Sequence, residues 1–512
     1  MSSVSVNTKL KLINKIGFSS YQLNSVTDVL VNAWQMYFYT TFCNISIVSV
    51  TLVLTISKVI TALLTPMVGY VSDNLYKTGF GKRFGRRKGL LLIGIPIKIL
   101  TFPLYWIPNM PTAYYCTIII AMSFVGPLIT VPQGTFAAEM SRNSNERAQL
   151  TGLNQMAAAV AGITSSMFTV KLFSMFGENN ASTFFIAAII YDVVALIALV
   201  FFYISVYERP VDESQIQITR EKPSLKKGFI NIVNNFKSAI KLKSYRYYLE
   251  MYLSEQMFRS LAGAINTYFI VFVLLLNPKS VSISTSVGFV FGIMFLTFYM
   301  WLTAKTTGTF TYRIGGVATI LVLLCFGYIG LFRPANTELY LIILTVALNF
   351  GKTGLVNSAQ FLFTFIPDVD EILTGKRREG SYSGVNSFLD VLFTTIEVFI
   401  VGVLLQATGF VKNATTQPQT TITALLVLYV IVPIVLVSIG IVVSYKFKLT
   451  VENHKILEAE VERLKNGGSK EDATAEVKAL VEELTGFCYE KCWGNNDLLG
   501  PEEKTKLREA LL

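Results

Sequence analysis

Stretches of apolar residues long enough to cross a bilayer recur along this chain with short polar breaks, and they constrain its fold more than any other feature. A helix needs roughly 20 apolar residues to span the hydrocarbon core. Runs of that order fall near 18–43, 47–72, 89–107, 113–138, 150–174, 183–206, 247–275, 285–304, 314–332, 338–365, 384–407 and 421–445. The chain is therefore expected to be an all-α membrane protein of twelve transmembrane helices. Composition agrees: 52% hydrophobic against 15% charged residues does not describe a soluble protein. The stretch from Met1 to Lys15 is polar and the first long apolar run is already a span, so no removable signal peptide is expected.

The polar breaks carry charge unevenly. Lys77, Lys82, Arg83, Arg86, Arg87 and Lys88 follow the second span, Arg142 and Arg147 the fourth, and Lys376, Arg377 and Arg378 the tenth. The breaks at 44–46 and 108–112 carry no Lys or Arg. By the positive-inside rule the basic loops are cytoplasmic, which puts both termini inside the cell and points to a multi-pass protein of the plasma (inner) membrane. The same asymmetry accounts for the net charge of +11, so no nucleic-acid partner is implied.

A longer basic segment, 207–245, divides the chain into an N-terminal six-helix half (1–206) and a C-terminal half (246–445), followed by a tail (446–512). The halves echo one another: Glu139 lies eight residues before Arg147, and Asp370 eight before Arg378. That spacing suggests two pseudo-symmetric copies of a six-helix unit. The tail is rich in Glu, Lys and Ala, with helical apolar spacing at Ile456, Val461 and Leu464, then at Val477, Leu480, Val481 and Leu484. It reads as a soluble helical segment. Of five cysteines, Cys43, Cys116 and Cys325 lie inside apolar runs. Cys488 and Cys492 read as two reduced thiols far in sequence from the single histidine, His454, so no metal site is expected.

The strongest local signal joins Gly69-Tyr-Val-Ser-Asp73 to Gly81-Lys-Arg-Phe-Gly-Arg-Arg-Lys88. An acid at a helix end beside Arg83, Arg86 and Arg87 can make charge-assisted bonds in one conformation and exchange them in another, which suits a gate. The alternative is that the basic cluster only fixes topology. Together with Phe38-Tyr-Thr40, Pro132 through Glu139-Met-Ser, Asn145-Glu-Arg147, Pro367-Asp-Val-Asp370 and Gly375-Lys-Arg-Arg-Glu-Gly380, this loop resembles the glycoside-pentoside-hexuronide:cation symporters, the melibiose-carrier branch of the major facilitator superfamily. The resemblance covers all twelve spans. It implies the major facilitator fold and alternating-access symport of a small solute, usually a sugar or glycoside, with Na+ or H+. The gating set it suggests is Asp73, Arg83, Arg86, Arg87, Glu139, Arg147, Asp370 and Arg378.

The departures from that family are chemical. Where its second span carries two aspartates, this chain has Thr61 and Thr65, with Pro66 following. Thr130 replaces an acid, Gly134 the sugar-stacking tryptophan, and Gln155 an arginine; Tyr21 and Val391 align near a further acid and lysine. Other ionisable groups remain at membrane depth, where charges normally face a cavity or one another. Asp28 lies two helical turns past Tyr21 and is a candidate for the lost acid's role, with Lys58 as its partner. Lys352, Asp390 and Glu397 form a second candidate cluster. Asp192, Glu255 and Arg259 read as structural, the latter two pairing four residues apart. The cation-coupling candidates are thus Asp28, Lys58, Thr61, Thr65, Asp390 and Glu397. The substrate candidates are Asp28, Trp34, Tyr37, Thr130, Gln133, Asn154, Gln155, Lys352 and Asn386, because transporter cavities combine aromatic faces with amides.

Gly351-Lys-Thr353 ends like a phosphate-binding loop, but Val346 stands at its leading glycine and no strand precedes it. No nucleophile motif points to an enzyme, and no cofactor beyond a coupling ion is implied. Two rivals share the sequence: the same fold carrying an amphipathic lipid or other organic solute, and a non-transporting membrane scaffold whose tail docks a cytoplasmic partner.

Overall fold

The computed structural model describes residues 10–140, 144–177, 180–208, 239–375 and 379–494. The first crossing is helix α1 (Leu12–Ser20), a 3-10 turn (Tyr21–Ser25) and α2 (Val26–Thr41). Then come α3 (Ile47–Asn74), the short α4 (Gly79–Phe84), α5 (Lys88–Thr101), α6 (Thr112–Met140), α7 (Ser144–Phe176) and α8 (Ala181–Ser205). The second half holds α9 (Lys243–Tyr268), α10 (Pro278–Lys305), α11 (Gly308–Phe332), α12 (Thr337–Phe363), the loop helix α13 (Ile366–Thr374) and α14 (Glu379–Ala407). Its last crossing is α15 (Gln419–Leu426), a π turn (Val427–Ile431) and α16 (Val432–Lys446); the tail adds α17 (Val451–Lys465) and α18 (Ala475–Thr485).

The helices fall on the twelve expected runs. Ten described helices are long and apolar enough to cross a membrane by themselves. The other two crossings are the interrupted α1–α2 and the polar-rich α9, which carries Arg246, Glu250, Glu255 and Arg259. Both are places where function competes with hydropathy. In the first, Ser20 turns its hydroxyl to the Gly17 carbonyl at 2.7 Å and that of Ala198 at 3.0 Å, bonding the break to α8. The second interruption, before α16, coincides with Pro433, whose missing N–H cannot continue the α-helical ladder.

The halves meet along α2 with α9, α3 with α14, and α7 with α10. Counted as spans these pairs are one with seven, two with eleven and five with eight. Adding or subtracting six exchanges the last two pairs and returns the first to itself, as a pseudo-twofold axis requires. Gly351 from the loop-like motif serves packing: a Cβ there would stand 2.8 Å from the Gly315 carbonyl oxygen, so its smallness lets α11 and α12 touch backbone to backbone. Large apolar side chains such as Leu100, Ile204 and Leu331 face outward, 73%, 70% and 67% exposed, as a surface solvated by lipid requires.

The tail does not hang free. Every residue of α13 is buried, because α17 and α18 cover the side of it turned away from the bundle. His454 and Asp368 pair at 2.8 Å, the His454 ring stacks on Phe365 at 4.3 Å, and Lys465 meets Glu371 at 2.7 Å. Ser244 on α9 donates to the Leu484 carbonyl at 2.6 Å, and the Trp493 N–H to that of Ile372 at 2.9 Å. Leu457, Val461, Leu464, Val481 and Leu484 are buried in the main core, whereas Ile456, Val477 and Leu480 are half-buried at its edge. Leu457→Ala removes a fully buried side chain and is expected to weaken tail docking by about 2–5 kcal/mol. Limited proteolysis should then cut between α17 and α18 while the membrane core stays intact; unchanged protection would contradict this packing.

Candidate functional site

Between the halves lies a cavity of about 340 Å³, walled by α2, α9, α10, α12 and the π turn before α16. Its polar lining combines the amides of Asn32, Asn266 and Asn349 with the hydroxyls of Thr267, Ser284, Thr285, Thr345 and Tyr429, joined by the half-buried Lys352. Tyr429 donates to Asn266 Oδ1 at 3.0 Å, which orients that amide. Asn349 donates Nδ2 to the Thr345 carbonyl at 2.9 Å, leaving its oxygen as the acceptor not used within the helix. A Cβ at Gly288 would stand 2.7 Å from that Nδ2, so this glycine makes room for the amide. Phe258 and Phe289 supply apolar faces.

Among the described residues, Lys352 is the substrate candidate from the sequence that lines this wall, and Asp28 precedes the lining residue Val29. Trp34 and Tyr37 are instead 2% and 4% exposed; Trp34 packs edge-on against Phe173 at 5.0 Å, and Tyr37 packs against Tyr268 at 6.3 Å. Asn386 accepts from the Tyr245 hydroxyl at 2.8 Å and donates to that of Tyr248 at 3.1 Å. Thr130 bonds back to the Gly126 carbonyl at 3.2 Å, Thr61 to that of Ser57 at 2.9 Å and Thr65 to that of Thr61 at 2.7 Å. Asn154 keeps a buried oxygen without a partner, and Gln133 is half-buried. Asn32, Asn266 and Asn349 went unread; their signal was an amide inside an apolar run.

Two charge clusters flank the cavity. One spans the halves: Lys58 on α3 feels Glu397 and Asp390 on α14, while Lys352 on α12 feels Glu255 and Arg259 on α9. Arg259 pairs with Glu255 at 3.2 Å, as their four-residue spacing predicted, and also donates to Gln256. The second cluster lies inside the first half. Lys98 on α5, 9% exposed, donates to Asn24 and, at 3.2 Å, to Thr27, and its charge feels Asp28 and Asp192. The expected pairing of Asp28 with Lys58 is therefore replaced: α3 runs along α14 and carries Lys58 to the other half, and Lys98 serves Asp28.

The chain matches the family model described as "MFS/sugar transport protein" over residues 22–451. It belongs to that family. The match spans both halves, and the chain is a secondary transporter of sugars within the glycoside-pentoside-hexuronide symporter group. It is 23% identical over 420 residues to the isoprimeverose transporter of Lactiplantibacillus pentosus, covering 79% of this chain and 82% of that one. It is 23% identical over 447 residues to a Salmonella typhimurium protein provisionally named a sulfoquinovose importer, covering 83% and 87%. The solved nucleoside transporter NupG superposes with a TM-score of 0.58 at 13% identity, over 85% of this chain and 99% of that one, a likeness of fold.

On the face of this transporter that carries the basic loops, Glu139 at the end of α6 accepts from Arg86 at 2.5 Å and Arg87 at 3.0 Å. The sequence reading missed Glu208, whose carboxylate takes the backbone N–H groups of Arg86, Arg87 and Lys88 at 2.9, 2.9 and 2.5 Å, capping α5. Arg83 stands apart over the Phe84 ring, 5.2 Å from its centre. Asp370 accepts from the Tyr382 hydroxyl at 2.8 Å. The side chains of Asp73, Arg147 and Gln155, and all of Arg378, lie outside the described residues. Glu139→Gln is expected to cost about 1.5–3 kcal/mol of stability, with Arg87→Gln adding little in the same background. A thermal double-mutant cycle in detergent checks this; simple additivity would show that the two groups act independently.

Proposed function

We propose that this transporter moves a sugar or glycoside together with a monovalent cation by alternating access, binding the solute in the cavity between the halves. The observation that carries the reading is the cavity's lining, in which three amides, several hydroxyls and one ammonium stand between aromatic faces. Amides both donate and accept, so together they match the alternating hydroxyl pattern of a sugar, and flat apolar rings take its C–H faces. The relatives' names, an isoprimeverose transporter and a provisional sulfoquinovose importer, support a sugar-sized polar cargo.

The basic loops face the cytoplasm of a plasma or inner membrane, with both termini inside, by the positive-inside rule. In that orientation this conformation is closed to the outside. Among the described residues, hydrogen bonds between the halves lie toward the face opposite the basic loops: Thr267 to the Ala33 carbonyl at 2.6 Å, Thr40 with Tyr268 at 2.9 Å, and Thr55 to the Thr395 carbonyl at 3.4 Å. Closure of the inner face requires the halves to rock together there. The Glu139 cluster with Arg86 and Arg87 then acts as a latch holding the loop between α3 and α5 against α6.

Uptake of labelled mono- and disaccharides into proteoliposomes tests the reading. Asn349→Leu and Lys352→Met are each expected to raise KM about tenfold with little change in the amount of folded protein. Failure of the wild type to take up any sugar under either a sodium or a pH gradient would move the cargo to another solute class.

A further inference from the structure

Counting charge cluster by cluster separates the two halves of the site. The cluster between the halves holds three acids, Glu255, Asp390 and Glu397, and three bases, Lys58, Arg259 and Lys352. It closes at zero. The cluster in the first half holds two carboxylates, Asp28 and Asp192, and one ammonium, Lys98. It closes at minus one, and a single unbalanced charge at membrane depth is expensive.

Geometry marks where the missing charge goes. Asp192 is 5% exposed, and its Oδ1 is fully buried without a hydrogen-bond partner. An ionised acceptor left so is costly at this depth, and a proton on the carboxyl relieves that cost by removing the buried charge. Asp28 makes no hydrogen bond or ion pair among the described residues, and it stands one helical turn before the cavity residue Asn32. It is thus the member of the cluster that shares a helix with the cavity wall. The other groups facing the cluster are Tyr21 from the 3-10 turn, and Asn24 and Thr27, both held by Lys98. The ammonium supplies the positive charge a sodium ion would bring and repels a second metal cation, which leaves a proton as the fitting partner.

We propose that Asp28 and Asp192, beside the Lys98 ammonium, form the proton-coupling site of this transporter, between the first, third and sixth spans. One proton enters from one side of the membrane, binds a carboxylate of the pair, and leaves to the other side after the halves rock. Lys98 and Asp192 are its positioning and buried members, and neither came from the aspartate positions of the second span, which are threonines here.

The inference rests on the sugar-symport reading, and two measurements on the full chain keep the two apart. In proteoliposomes, Asp192→Asn is expected to lose gradient-driven sugar accumulation at least tenfold more than it loses sugar counterflow, with Asp192→Glu recovering most of the difference. Accumulation driven by sodium instead of pH in the wild type, or equal losses in both assays for Asp192→Asn, would overturn the proposal. Absence of counterflow for every sugar in the wild type would sink the sugar reading alone. Infrared difference spectra after a pH jump then still decide the site: a carboxyl band lost in Asp192→Asn supports it, and the same band in the variant overturns it.

Discussion

Hydrocarbon offers no partner to a polar group, and that constraint shapes each level of this structure. Backbone groups answer it by forming helices, so twelve apolar runs become twelve crossings. Side-chain charges answer it by meeting one another. Each ionisable group singled out at membrane depth lies within reach of an opposite charge, whether Lys58 with Glu397 and Asp390 or Lys98 with Asp28 and Asp192. Where polarity concentrates enough to spoil hydropathy, as along α9 and at the break in the first crossing, the helix borders the cavity or a charge cluster. The least lipid-like segments are therefore the ones beside the cavity and the charge clusters.

The same reasoning connects the two faces. Toward the face opposite the basic loops, short hydroxyl bonds such as Thr40 with Tyr268 tie the halves together. On the basic face, charge-assisted bonds tie loops to helix ends within each half, as Glu139 and Glu208 do for Arg86 and Arg87. In the proposed rocking, ties within a half would survive and ties between halves would break. The tail adds a clamp of its own. By burying α13, it makes the loop after α12 part of the second half's rigid body.

Helix number, the two-half division and the family were legible because length, hydropathy and loop charge are local properties that the chain carries in order. Glu139, Arg86 and Arg87 were legible as gate candidates, but that the acid pairs with the two arginines was not, because they lie 53 and 52 residues from it. Residue-level assignments depended on rotation about helix axes, which apolar periodicity does not fix in a bundle wetted by lipid outside and packed by similar residues inside. Trp34 and Tyr37 look like ligands in sequence yet point into an aromatic core. Lys98, the lone charge within the run 89–107, carried a readable signal of its own, but nothing local says which span it faces.

What the sequence determined alone was a set of helices, their order and the uneven charge of their loops, since each follows from transfer of a single segment into lipid. Tertiary structure decided the partners. It sent Lys58 across to α14 and Lys98 to Asp28, gathered three asparagines around one cavity, and folded the tail onto α13. Those outcomes turn on which helix faces meet, and the energy that selects them comes from pairs of residues tens to hundreds of positions apart.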